Sequence, residues 1–271
     1  MPSVTQTGFP YLDEPERPIP FAHRGGALHP EIPGIENTIA AFRHAVALGY
    51  RYLETDVHAT SDGRLVAFHD TLLDRVTDRV GAIADLTWAQ VSEAVIGGSE
   101  PVPDFVELFD AFPQARFNVD IKSPGAVEPL ARFVEARNAH DRLLVGSFSP
   151  GSLRRFRRLT GGRVATSAHP GEVLVWLLCP SGRLADMLTR RRVAALQIPH
   201  RHRGIPVATA GLIRRAHAAG KHVHVWTIDD ADEIRLLVRR GVDGVMTDRT
   251  DILKQVLVEA GAWEGEGDGE S

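Results

Sequence analysis

The sequence is defined first by what it has little of. Only one cysteine, Cys179, occurs in 271 residues, so no internal disulfide can form. It lies beside Pro180 in the apolar stretch VLVWLLCP, reads as a buried thiol, and fits a reducing, cytoplasmic setting. No apolar run approaches the roughly 20 residues of a membrane span. The opening MPSVTQTGFPYLDEPERPIP has neither the basic start nor the apolar segment of a signal peptide. Positive charge is not in excess: 31 Lys and Arg against 35 Asp and Glu leave a formal net charge of -4. That balance argues against the broad basic footprint of nucleic-acid binding and favours chemistry on small molecules. Lysine is scarce, with Lys122, Lys221 and Lys254 against 28 arginines, a bias we attribute to GC-rich bacterial coding rather than to function. No internal repeat is evident.

What is present suits one large core, with 43% hydrophobic and 24% charged residues. Length does not force a division, because α/β barrels of about 250 residues fold as single units. Eight apolar, β-branched segments recur along the chain: PFAHRG, YLETDV, RFNVDIK, LLVGSF, RVATSA, AALQIP, HVHVWTI and GVMTD. Between them lie stretches such as TIAAFRHAVALG, GSLRRFRRLTG and ATAGLIRRAHAAG, whose apolar residues recur at three and four, the helix period. Strands alternating with helices predict parallel pairing, and eight such units predict a TIM (β/α)8 barrel. The alternative is a doubly wound open sheet, but no glycine-rich dinucleotide fingerprint follows the first strand.

One stretch breaks the alternation. In LETDVHATSDGRLVAFHD only Ser61, Asp62 and Gly63 separate two strand-like runs, too short for a crossover and suited to an Asp-Gly hairpin. LVAFHD is therefore expected to lie antiparallel to the second strand as a small flap. From Thr71 to Pro103 the chain reads as an excursion at the barrel mouth, with one helix capped at Thr87 and running through WAQVSEA. The expected division is an N-terminal extension over 1–19, one barrel domain over 20–260, and a disordered acidic, glycine-rich tail over 261–271.

The chemistry-bearing residues gather at strand ends. Glu54 and Asp56, two apart on a strand, share a face, as do Asp120 and Lys122 in NVDIK. Two carboxylates side by side repel, and a divalent cation with hard oxygen ligands removes that cost; a solvated pair of acids is the alternative. His23 ends the first strand and His69 ends the flap. Two histidines beside three acids at the carboxyl end of a barrel form the pattern of a general base and a general acid flanking a phosphoryl group held on a metal. Asp70 reads as a turn residue.

HRGG, IENT, ETDV, SDGRLVAFHD, NVDIK, VGSFSP, HVHVWTI and GVDGVMTDR occur in the order seen in the glycerophosphodiester phosphodiesterase family, which the chain resembles from roughly Pro20 to Leu253. The resemblance implies a bacterial TIM-barrel hydrolase that cleaves glycerophosphodiesters to sn-glycerol 3-phosphate and an alcohol. It implies His23 as general base, His69 as general acid, and Glu54, Asp56 and Asp120 as ligands of Ca²⁺ or Mg²⁺. Asp120 stands where the family commonly has glutamate. By the same resemblance Arg24 and Lys122 face the phosphate, whose transition state needs its oxygens neutralised, and Trp226 lines the glycerol pocket or is a plain core tryptophan. The family's APENT reads here as PGIENT, with Ile35 where proline is expected, and Asn37 or Thr38 caps the helix that follows. The loop IPHRHRG offers Arg201 and Arg203 to an anionic head group or to solvent. The nucleophile is either water or the substrate's own 2-hydroxyl. Two other functions suit the same barrel: a phospholipase D-like hydrolase of lysophospholipid or sphingolipid head groups, for which the sequence shows no clear apolar rim, and a non-catalytic binding barrel. The partner expected is a small-molecule phosphodiester, with no nucleic acid and no transmembrane segment.

Overall fold

The computed structural model describes residues 7–13 and 18–263. Its framework is eight strands, all in the segments the apolar pattern picks out: β1 (Ile19–His23), β2 (Tyr52–Ala59), β3 (Arg116–Ile121), β4 (Leu143–Gly146), β5 (Ala165–Thr166), β6 (Ala195–Pro199), β7 (His222–Trp226) and β8 (Gly244–Thr247). Neighbours in sequence pair in parallel from β1 to β5 and from β6 to β8, and β8 returns to β1. The ring closes between β5 and β6 through a parallel bridge from Ser167 to Ala195, with Ala194 N–H donating to Thr166 O at 2.9 Å and Ala168 N–H to Ala195 O at 3.0 Å. This is the TIM barrel, and the open-sheet alternative is excluded by that closure.

Helices wrap the outside, each following a strand. Ile39–Ala47 begins at Thr38, whose hydroxyl accepts the Ala41 N–H at 3.1 Å, and stops before Gly49, which takes φ +98°. Asn37, the other candidate cap, instead points into the barrel mouth. A large apolar core fills the space between strands and helices, and a smaller one built on Ile19, Phe21, Tyr52, Leu144 and Met246 fills the barrel itself. Among the described residues no helix is long and apolar enough to cross a membrane.

The insertion after β2 has a third core, centred on Val66, Phe68, Leu73, Ile83 and Ile96. Its first strand, Leu65–Ala67, pairs antiparallel with Val57–Ala59 across a turn whose Gly63 has φ +81°, as the Asp-Gly signal predicts. His69 lies just beyond that strand. The helix after Thr87 spans only Trp88–Val91, shorter than the apolar spacing suggests. A Thr87–Gln90 capping box starts it, and the chain then turns, Ala94 N–H donating to Val91 O, into a second hairpin, Val95–Ile96 with Glu100–Pro101.

The chain ends depart from the expected boundaries. Tyr11 and Leu12, assigned to an N-terminal extension, are fully buried in the barrel floor. Tyr11 meets Tyr52 edge-on with centroids 5.5 Å apart, and the Arg116 guanidinium donates to the carbonyls of Pro10 and Tyr11. A plug made of one turn carries no periodicity, so pattern alone does not reveal it. Trp263 packs edge-on against Tyr50 and beneath the Lys254 ammonium, so the packed chain continues past residue 260. The rest of the acidic tail lies outside the described residues.

Truncating the plug leaves a cavity that the strand ends above it can only partly close. Tyr11→Ala is expected to destabilise the fold by about 3 kcal/mol, read from the urea midpoint at unchanged slope. An unchanged midpoint would show that the floor stands without it.

Candidate active site

The carboxyl ends of the barrel strands open into a cavity of about 760 Å³. His23, Arg24, Glu54, Asp56, His69, Asp120, Lys122 and Trp226, the eight residues singled out from sequence, all line it.

Each is placed by local chain geometry. After His23 the backbone turns through left-handed Arg24 (φ +51°), Gly25 (φ +85°) and Gly26 (φ +94°). A Cβ on Gly25 would stand 2.7 Å from that of Ala41 in the following helix, so the chain can turn this closely only with glycine there. The turn aims the Arg24 N–H at the Glu54 carboxylate, 3.2 Å away. β2 and β3 pair with Asp56 opposite Asp120, and Lys122 follows on the same face. The Lys122 ammonium sits 2.9 Å from Asp56 Oδ1 and 2.7 Å from Asp120 Oδ2, so it bridges both acids. Asp56 also accepts from Asn37 Nδ2 at 3.1 Å and lies 3.3 Å from Arg24 Nε.

Burial and charge set the protonation states. Glu54 and Asp56 are 4% and 1% exposed. For Glu54, burial and the neighbouring Asp56 charge outweigh His23, Lys122 and Arg24, and its carboxyl is pushed up to about 7. Burial pushes Asp56 in the same direction, but Lys122 and Arg24 are closer and hold it below the usual range. Asp120 is raised by burial despite Lys122. Lys122 is itself half-buried, yet the two acids hold it charged, well above the ordinary lysine range.

Both histidines are oriented by carboxylates. His23 Nδ1 is 2.6 Å from Asp248 Oδ1, and its Nε2 faces Glu54 Oε2 at 3.7 Å. Burial lowers the His23 pKa, but Glu54 and Asp248 together leave it raised. His69 Nδ1 is 2.6 Å from Asp70 Oδ1. Asp70 is therefore more than the turn residue that sequence suggested: with Arg75 on its other oxygen, it fixes the His69 ring.

Sequence reasoning missed Asp248 and Asn37 as groups touching the site, and it missed the opposite wall. Asp248 follows β8 within MTDR, a strand-end acid of the kind that drew attention to Asp56, and could have been found by that rule. The far wall is apolar, formed by Phe148, Leu174, Leu177, Ile205, Val207 and Trp226. Phe148 meets Trp226 edge-on at 5.9 Å and is 63% exposed, and Leu174 and Ile205 are 55% and 69% exposed. This is an apolar rim, which the sequence did not show because its residues come from four separate segments of the chain. In IPHRHRG, Ile198, Pro199 and His202 line the cavity, while Arg201 and Arg203 are exposed outside its lining, the solvated of the two readings for this loop. His200 is buried against Glu233.

The donor set suits a hard divalent cation: three carboxylates on adjacent strands, two of them held above their usual pKa by burial that positive neighbours do not fully offset. Among the described residues, however, the three ligand-type side chains whose donor atoms all lie within 4.8 Å of one another are His29, Glu31 and His44, outside this cavity.

The sequence matches the glycerophosphoryl diester phosphodiesterase family over residues 23–252. It is 42% identical over 249 residues to a Mycobacterium tuberculosis protein named "probable glycerophosphodiester phosphodiesterase 2", covering 91% of this chain and 93% of that one. A rat lysophospholipase D is 26% identical over 271 residues, covering 88% of this chain and 85% of that protein. Among solved structures, an Oleispira antarctica phosphodiesterase in complex with the product sn-glycerol-3-phosphate superposes with a TM-score of 0.73 at 25% identity, covering 89% of this chain and 97% of that one.

Because the Glu54 pKa is raised on folding, the native state holds its proton more tightly than the unfolded chain. Stability from this group is full below about 4.5 and is lost as pH rises toward about 7. The loss is expected to reach at most about 3 kcal/mol in metal-free protein. Glu54→Gln should raise the melting temperature in chelator at pH 8 and flatten the profile between those limits; an unchanged profile would place the strain elsewhere.

Proposed function

The chain belongs to the glycerophosphoryl diester phosphodiesterase family and hydrolyses glycerophosphodiesters, and from that premise we propose how its side chains divide the reaction. His23 acts as general base and His69 as general acid. Glu54, Asp56 and Asp120 hold a divalent cation, Ca²⁺ or Mg²⁺. Arg24 and Lys122 meet the phosphate, and Trp226 walls the glycerol pocket. The observation that carries this reading is the paired orientation of the two imidazoles: each gives its Nδ1 to a carboxylate 2.6 Å away, and both border the cavity that holds the acids.

The chemistry follows from that arrangement. With the Nδ1 proton engaged by Asp248, His23 offers Nε2 as the basic nitrogen, and the carboxylates around it favour the cation formed when it takes a proton. The proton comes from water or from the substrate's 2-hydroxyl, and the oxygen so freed attacks phosphorus; on the 2-hydroxyl route the first product is a cyclic phosphate that a water then opens. His69, oriented by Asp70, gives its proton to the alkoxide as its P–O bond breaks, so an alcohol leaves and sn-glycerol 3-phosphate is the final product. A divalent cation held by Glu54, Asp56 and Asp120 would supply further charge neutralisation to the phosphate. Arg24 and Lys122 add positive charge where the phosphoryl oxygens gain it. A single domain in a cytoplasmic setting accords with one continuous barrel and a lone, buried Cys179 thiol.

The apolar wall favours a second substrate class. Leu174, Leu177, Phe148 and Ile205 present more hydrocarbon than a glycerol head group needs, and a rat relative is named a lysophospholipase D. An acyl chain laid along this wall would add binding energy remote from the reacting phosphorus.

Chelated protein resupplied with Ca²⁺, Mg²⁺ or Mn²⁺ is expected to release glycerol 3-phosphate from glycerophosphocholine only when an ion is returned. His23→Ala and His69→Ala should each lower turnover by about 10² to 10⁴ with the fold intact, and near-native rates in either would refute its role. For the acylated substrate, Leu174→Asp with Leu177→Asp should lower kcat/KM on lysophosphatidylcholine about tenfold or more while sparing glycerophosphocholine. An equal effect on both substrates rules out the acyl contact.

A further inference from the structure

We propose that His29, Glu31 and His44 form a second metal site, for a borderline divalent transition ion such as Zn²⁺, outside the catalytic cavity. The Nε2 atoms of His29 and His44 lie 3.4 Å apart. Two nitrogens on one tetrahedral Zn²⁺, each bonded at 2.0–2.1 Å, stand about 3.4 Å apart, so the rings already have the spacing the ion requires. Glu31 Oε2 is 3.8 Å from His44 Nε2, and its exposed side chain needs only a small rotation to close on the same point. Solvent takes the fourth position.

Binding requires a change of tautomer at His29. His29 is 5% exposed, and its Nδ1 accepts the Glu31 N–H at 3.2 Å, so the neutral ring carries its proton on Nε2, aimed at His44. On binding, the cation replaces that proton and the ring takes one up at Nδ1, giving up the long bond from Glu31 N–H. Neutral rings release no net proton. The mixed nitrogen and carboxylate donors select Zn²⁺ over the Ca²⁺ or Mg²⁺ suited to an all-oxygen set.

Placement gives the site a structural consequence. His29 and Glu31 lie in the turn between β1 and the helix Ile39–Ala47, and His44 lies on that helix. The same turn carries Arg24 to the catalytic cavity, with Glu36 paired to Arg24 and Asn37 donating to Asp56. An ion at this point ties the turn to the helix at a second place beyond the Thr38 cap.

The test uses full-length protein stripped by chelator and reloaded with Zn²⁺ in excess Mg²⁺, which competes for the carboxylate site. Wild type should retain one more equivalent of Zn²⁺ than His44→Ala after desalting, and Zn²⁺ should raise its melting temperature but not that of the variant. Co²⁺ should give wild type the intense visible absorption of a tetrahedral site and leave His44→Ala without it. Equal Zn²⁺ content in the two proteins overturns the proposal. If His44→Ala does not fold, Glu31→Gln, altered at an exposed side chain, decides: weaker Zn²⁺ affinity supports the site and unchanged affinity overturns it. Because the readout is the Zn²⁺ difference between proteins, failure here leaves the catalytic assignment standing, and an inactive enzyme leaves this site standing.

Discussion

The barrel mouth is organised around the mutual repulsion of buried carboxylates on β2 and β3. Parallel pairing sets Asp56 opposite Asp120, and strand alternation sets Glu54 on the same face. Burial deprives all three of the water that would otherwise screen them. The Lys122 ammonium between Asp56 and Asp120 answers part of this charge, and Arg24 answers a little more. At Glu54 the nearby cations offset only part of the burial and of the Asp56 charge, and its carboxyl is pushed up to about 7. Such an imbalance is unfavourable for an empty barrel and useful for one that accepts a cation, since binding there replaces repulsion by coordination.

The histidines solve a different problem, that of fixing a ring on the rim of an open cavity. His23 takes its partner from the far end of the chain, Asp248 beyond β8, which is adjacent to β1 only because the barrel closes. His69 takes its partner from the next residue. That carboxylate is in turn held by Arg75, which also donates to Glu36, and Glu36 accepts from Arg24. Charges of alternating sign thus run from His69 to Arg24 across the insertion and the turn after β1. Burial raises the Glu36 carboxyl, but its arginines outweigh that and hold it below the usual range, so the link stays ionised across the neutral pH range.

The fold was legible in the sequence because a barrel repeats one simple signal, and all eight strands lie where apolar, β-branched runs predict them. The site was legible where chemistry and strand period coincide, as at Glu54, Asp56, Asp120 and Lys122. What stayed hidden depends on closure or on convergence of distant loops. Asp248 lies 225 residues from His23, and only closure of the barrel makes them neighbours. Tyr11 lacks any periodic context, and the apolar wall draws one or two residues from each of several segments that look ordinary singly. Asp70 reads locally as a turn residue, but its short side chain reaches the ring nitrogen of the adjacent His69.

The two faces of the cavity explain why these parts are separated along the chain. The charged wall comes from β1, β2 and β3 with the turn and insertion after them, where neighbouring strands share hydrogen bonds and the floor is plugged by Tyr11. Groups that must keep their spacing to fractions of an ångström gain from that rigidity. The apolar wall comes from the segments after β4, β5 and β6, where contacts are non-directional and tolerate variation in length and shape. The helix Pro170–Leu178, which carries Leu174 and Leu177, is nonetheless anchored behind the wall by the buried Arg157–Glu172 pair, at 2.6 and 3.0 Å. Substitution in its outward leucines can therefore retune what lies against the wall without disturbing the charged groups opposite, so that preference for what the glycerol carries and the phosphodiester chemistry vary independently.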